Sequence, residues 1–123
     1  MSERKRFTLT SPTEAPSPTT HRVRSEYVEE AWLPYLGPAA LTFARRCDLV
    51  LSNQSSCGVE VTRWATQLGI TQDELISAAN RLARYGLAQW NGDNFVLSRH
   101  WPPVPAAITT DLHRVALLAL EDA

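Results

Sequence analysis

On a helix turning roughly 100° per residue, Asp73, Ser77, Asn80, Arg81 and Arg84 fall on one side, and Gln72 opens the same segment. These side chains suit base and phosphate chemistry. An asparagine such as Asn80 offers a donor and an acceptor side by side, which matches an adenine edge. The fork of Arg81 matches guanine, and each such pair is worth roughly 1–3 kcal/mol of discrimination. Ser77 and Arg84 are better suited to phosphate oxygens. The carboxylates of Asp73 and Glu74 oppose this, because a phosphate backbone passing the start of the helix would be repelled unless one of them accepts from a cytosine amino group. A second cationic cluster, Arg4, Lys5 and Arg6, could add phosphate contacts or enter a minor groove.

Catalytic chemistry has little to build on. There is no glycine-rich phosphate loop, no G-x-S-x-G and no H-E-x-x-H, and His21, His100 and His113 are scattered along the chain. Cys47 and Cys57 form neither a C-x-x-C pair nor a Cys/His cluster. The expectation is a protein that is not an enzyme, with no catalytic residues, metal site or cofactor. Cys47 sits at an apolar helical position and reads as a small buried hydrophobe.

The elements that must position these groups follow from local signals. The 123 residues suit one small domain plus tails, with a net charge of −1 and 44% hydrophobic residues. No apolar run is long enough to span a bilayer, and the first residues lack the apolar stretch of a signal peptide, so a cytoplasmic location is expected. Residues 1–26 are rich in Ser, Thr and Pro and carry a local charge of +2, which reads as a disordered basic arm. Gly37 and Pro38 begin the first confident helix, with Leu36 and Leu41 as a staple. Ala40, Phe43, Ala44, Cys47, Val50 and Leu51 form its buried face, while Arg45, Arg46 and Asp48 lie off it. Residues 52–58 read as a polar loop and 59–61 as a very short strand.

Thr62 then caps a short helix that Gly69 ends in the left-handed conformation, and Thr71 caps a third helix running to Tyr85. Two strand-like runs flank Asn91-Gly92, the strongest hairpin signal in the chain. After it, Trp101-Pro102-Pro103-Val104-Pro105 must be extended, and a last helix starting at Thr109 or Thr110 has apolar residues on more than one side.

The order helix, short strand, helix, tight turn, helix, hairpin is that of a mainly α protein with a small β-hairpin (α+β). Over about residues 34–97 the sequence resembles the winged helix-turn-helix superfamily. The pattern rests on Trp64, Ala65, Leu68 and Gly69 before the bend and on Leu75, Ala79, Leu82, Gly86 and Leu87 after it. Ala65 permits close helix crossing, Gly69 makes the bend, and Leu75, Ala79 and Leu82 are the inward stripe. The start at Leu33-Pro34-Tyr35-Leu36-Gly37-Pro38 also resembles DnaD-like primosomal domains, which oligomerise. The stretch from Trp32 onward is similar to uncharacterised small winged-helix proteins of actinobacteria.

The resemblance implies a winged-helix domain at 27–97, followed by a Pro-rich linker and helix at 98–123. It further implies a sequence-specific DNA-binding regulator that takes double-stranded DNA through helix 71–85. The alternative is an adaptor that binds protein without contacting DNA. The hairpin tip, with no Lys or Arg of its own, departs from a DNA-gripping wing. Trp90, Leu112, Val115 and Leu118 are the expected protein-contact residues, the last three as the seam of a homodimer.

Overall fold

The computed structural model of the chain describes residues 4–12 and 20–105. Its elements are β1 (Arg6–Thr10), β2 (His21–Arg22), a π-helical segment (Val28–Trp32), α1 (Leu33–Leu51), β3 (Ser56–Glu60), α2 (Val61–Leu68), α3 (Gln72–Arg84), β4 (Ala88–Asn91), β5 (Asn94–Leu97) and β6 (His100–Trp101). The fold is α+β. α3 packs against both α1 and α2, and a four-stranded sheet in the order β3-β1-β5-β4 closes the other side. No helix of the described residues is long and apolar enough to cross a membrane.

Over Arg6–Thr10, within the segment expected to be a disordered arm, the chain forms β1 instead. Its sequence alternates, with Phe7 and Leu9 buried between exposed Arg6 and Thr8. It lies inside the sheet, antiparallel to β3 and parallel to β5, so both of its backbone edges are paired. Phe7, Phe43 and Phe95 meet pairwise at 5.8–6.5 Å between ring centroids, in edge-on or tilted arrangements. Burying Phe7 and Leu9 contributes roughly 1.5–3 kcal/mol each, enough to hold a strand that composition alone assigns to a tail.

The same strand explains two shifted boundaries. Ser56, Cys57 and Gly58 were expected in a loop. They instead pair with Thr10, Leu9 and Thr8, because β1 supplies the hydrogen-bonding partner that an isolated loop would lack. α2 begins at Val61 rather than after a Thr62 cap. No side chain caps it; the Val61 amide donates to the Lys5 carbonyl at 3.0 Å. At the other end Gly69 takes φ 73° as the bend requires.

α1 reaches further back than expected, but Gly37 interrupts it with φ 82° and ψ 163°, so Pro38 opens the regular part as its fixed φ allows. Ala40, Phe43, Ala44, Cys47 and Leu51 are buried, and Val50 partly so. Asp48, expected off this face, is fully buried. Arg24 Nε reaches Asp48 Oδ2 at 2.8 Å and Arg99 Nε reaches Oδ1 at 2.7 Å, so the charge is paired on both oxygens. β2 pairs with β6, and the core extends to Trp32 and Trp101, both buried, their indole nitrogens donating to the Pro102 and Ser98 carbonyls. Residues 98–101 therefore belong to the body rather than to a linker.

Candidate functional site

α3 is fixed at its start by a reciprocal pair: the Thr71 hydroxyl accepts from the Glu74 amide and the Glu74 carboxylate accepts from the Thr71 amide, both at 3.0 Å. Leu75, Ala78, Ala79 and Leu82 are buried against the body, and Gln72, Asp73, Ser77, Asn80 and Arg84 are exposed. Arg81 is tied down differently. Its Nη1 donates to the Leu36 carbonyl at 3.0 Å, just before the Gly37 kink, where a Cβ would come within 3.4 Å of that nitrogen. This arginine therefore bridges α3 to α1. The folding back of Glu74 onto its own helix also accounts for part of the acidic first turn, since a carboxylate there satisfies orphan amides.

β4 and β5 form the expected hairpin, with Asn91 opposite Asn94 and Gly92 at φ 61°. Trp90 is half-buried, its ring 5.1 Å from Phe7 and 4.6 Å from Phe95, and its Nε1 donates to Asn80 Oδ1 at 2.9 Å. The hairpin and α3 are thus joined through two side chains of the candidate set. The cation missing from the tip comes from elsewhere: the Arg4 guanidinium lies 4.0 Å above the Trp90 ring. Its Nη1 is 3.3 Å from both the Gly92 carbonyl and Asp93 Oδ1. Lys5 immediately before β1 and Arg6 at its start are both exposed, and Arg6 stands 4.0 Å from Glu60.

Two concavities flank these elements. One, of about 440 Å³, is lined by Arg6, Thr8, Glu60, Arg63, Trp64 and Asp93, between the start of β1, the start of α2 and the hairpin tip. The other, of about 260 Å³, lies between α1 and α3, with Leu36, Ala39, Ala40 and Ala78 against Asp73, Glu74, Ser77 and Arg81. The described residues include eleven Lys and Arg against eight Asp and Glu, in a chain whose net charge is −1.

Among the described residues no group of three or more His, Cys, Asp or Glu could hold a metal ion. His21 stacks on Tyr27 at 3.9 Å and His100 lies in β6. Both cysteines are free; burial pushes the Cys47 thiol well above its ordinary value, and the nearby Cys57 and Asp48 push it the same way. His113, Leu112, Val115 and Leu118 lie outside the described residues.

Sequence reasoning gathered Gln72, Ser77, Asn80, Arg81 and Arg84 on one helix but did not bring Arg4 to Trp90, and it passed over Arg63 altogether. The signal for the first was present in the Phe7/Leu9 alternation; for Arg63 it was the helix start, which only the β1 pairing moves to Val61. Compared with known protein families, with curated proteins and with solved structures, the chain matches none.

Proposed function

We propose that the chain is a winged-helix DNA-binding protein, with α3 as the helix that enters the major groove, the β4–β5 hairpin as the wing, and regulation of transcription as the role. One observation carries the reading. α3 presents Gln72, Ser77, Asn80 and Arg84 to solvent while the Trp90–Asn80 hydrogen bond links the hairpin to it. A helix and hairpin joined in this way can read bases with the helix and brace against the backbone with the hairpin. Asn80 reads a base edge, Ser77 and Arg84 meet phosphate, and Gln72 stands at the leading turn. Arg81, committed to Leu36, sets the angle of α3 against α1 and leaves its remaining nitrogens for the groove.

The test is a fluorescence-anisotropy titration of random and selected duplexes at several salt concentrations. Binding that weakens steeply with salt is expected. Trp90→Phe breaks the Trp90–Asn80 hydrogen bond while leaving the Asn80 amide, and relative to that variant Asn80→Ala should cost about 1–3 kcal/mol more on a selected site and far less on random DNA, whereas Arg84→Ala should weaken both alike. Absence of binding to any duplex at low salt would sink the reading.

A second reading has its own observation. The concavity between α1 and α3 combines an apolar floor with the acidic rim of Asp73 and Glu74, which suits a basic, partly apolar segment of a protein partner. An adaptor of this kind would leave duplex DNA unbound, so the same titration separates the two.

A further inference from the structure

Four of the described cations gather where β1 begins, beside the start of α2 and the hairpin tip. Arg4 and Lys5 lead into β1 at Arg6; the Lys5 carbonyl receives the Val61 amide, which brings the start of α2 and Arg63 to the same end. Arg6 and Arg63 share one cleft with Asp93 of the hairpin tip, and Arg4 covers Trp90. Among the described residues, Glu60 and Asp93 are the carboxylates paired with these cations. The Arg6–Glu60 pair is 4.0 Å long, with its side chains 80% and 45% exposed, and a solvated pair of that sort is worth at most about 1 kcal/mol and gives way to a competing anion. Arg4–Asp93 is 3.3 Å, with Asp93 92% exposed but Arg4 only 33%, since its guanidinium is held over Trp90. Lys5 and Arg63 have no carboxylate partner among the described residues. The positive end of the α2 dipole adds to the same field.

We infer that Arg4, Lys5, Arg6 and Arg63 form a clamp for the phosphate backbone of duplex DNA, so that the N-terminal strand, inserted between β3 and β5, supplies the cations the wing lacks. This rests on the DNA-binding reading above and goes beyond it by moving the main electrostatic contact from α3 to the sheet end. The Arg4–Trp90–Asn80 chain makes that end continuous with the outward side of α3. The strip runs open from the hairpin tip to α2, which suits a succession of phosphates better than one small anion in a closed pocket. It also relieves the conflict posed by Asp73 and Glu74: with the backbone held at the sheet end, the acidic turn of α3 need not lie against phosphate.

The experiment measures the slope of log affinity against log salt for the full chain on a random duplex. Arg6→Gln/Arg63→Gln should make the slope shallower by about two, one for each phosphate no longer neutralised, and Arg6→Lys/Arg63→Lys should restore it, because phosphate needs the charge and not the fork. Both substituted side chains are exposed, and an unchanged thermal midpoint checks that the fold is intact. Arg4→Gln should in addition abolish a DNA-dependent protection of Trp90 from acrylamide quenching, Trp90 being less buried than Trp32, Trp64 and Trp101. If the wild-type chain binds and the Gln pair leaves its slope unchanged while Arg84→Gln lowers it, the clamp is wrong and the α3 reading stands. If the wild-type chain fails to bind at low salt, both fall.

Discussion

Asp48 shows how a single side chain can organise distant parts of this molecule. Its two oxygens take Arg24 and Arg99, the Ser52 hydroxyl donates to its carbonyl at 2.8 Å, and Arg99 Nη2 reaches that same hydroxyl at 2.7 Å. One carboxylate thereby joins the end of α1 to the segment after β2 and to the chain leaving β5. A buried charge stripped of its partners is costly, but here the partners would be stranded instead, and Arg24 and Arg99 remain 42% and 24% exposed. Asp48→Ala should therefore sit at the low end of the range for broken buried pairs, a loss of about 3 kcal/mol by urea denaturation. A loss under about 1 kcal/mol would mean that the pairs behave like surface ones. The residue was misplaced from sequence for a specific reason. It lies four residues after Ala44 and three before Leu51, so helical spacing puts it on the buried side, and its charge argued it out. Arg81 has the same lesson in reverse: a polar face was assigned correctly, but one nitrogen is spent on the Leu36 carbonyl.

At the scale of elements, α3 is the part whose start was written most plainly. Thr71 and Glu74 three residues later make the capping box, and Arg81 and Arg84 complement the far end of the dipole. Thr71→Ala should lower stability by about 1 kcal/mol, and Glu74→Gln, which keeps an acceptor for the Thr71 amide, by less; chemical denaturation followed by circular dichroism measures both. Equal losses from the two substitutions would show that the carboxylate charge, and not its hydrogen bond, carries the cap. The hairpin was equally legible from Asn91-Gly92, and its pairing from Ala88↔Leu97 to Asn91↔Asn94 keeps Phe95 and Leu97 inward. β3 and the first turn of α2 were not, because their boundaries depend on a strand some fifty residues earlier in the chain.

For the molecule as a whole, β1 makes the difference between a helical body with a loose tail and one backed by a continuous four-stranded sheet. Leu9 is fully buried and Thr8 beside it is exposed. Leu9→Ala should cost about 3 kcal/mol and Thr8→Ala no more than about 0.5 kcal/mol in the same denaturation assay. A tail would show no difference between the two. The bend at Gly69, the capped start of α3, the Asn-Gly hairpin and the apolar stripe of α1 could all be read from neighbouring residues, since a cap, a left-handed glycine or a helical period involves chain only a few positions apart. The assignment of Phe7 and Leu9 to the sheet, the pairing of Asp48 and the placing of Arg4 over Trp90 could not. They join residues as far apart as 89 positions, as from Arg4 to Asp93, or 84, as from Thr10 to Asn94. At such separations local composition names no partner; packing selects it, by finding the one gap, between β3 and β5, where both edges of a short alternating strand are satisfied at once.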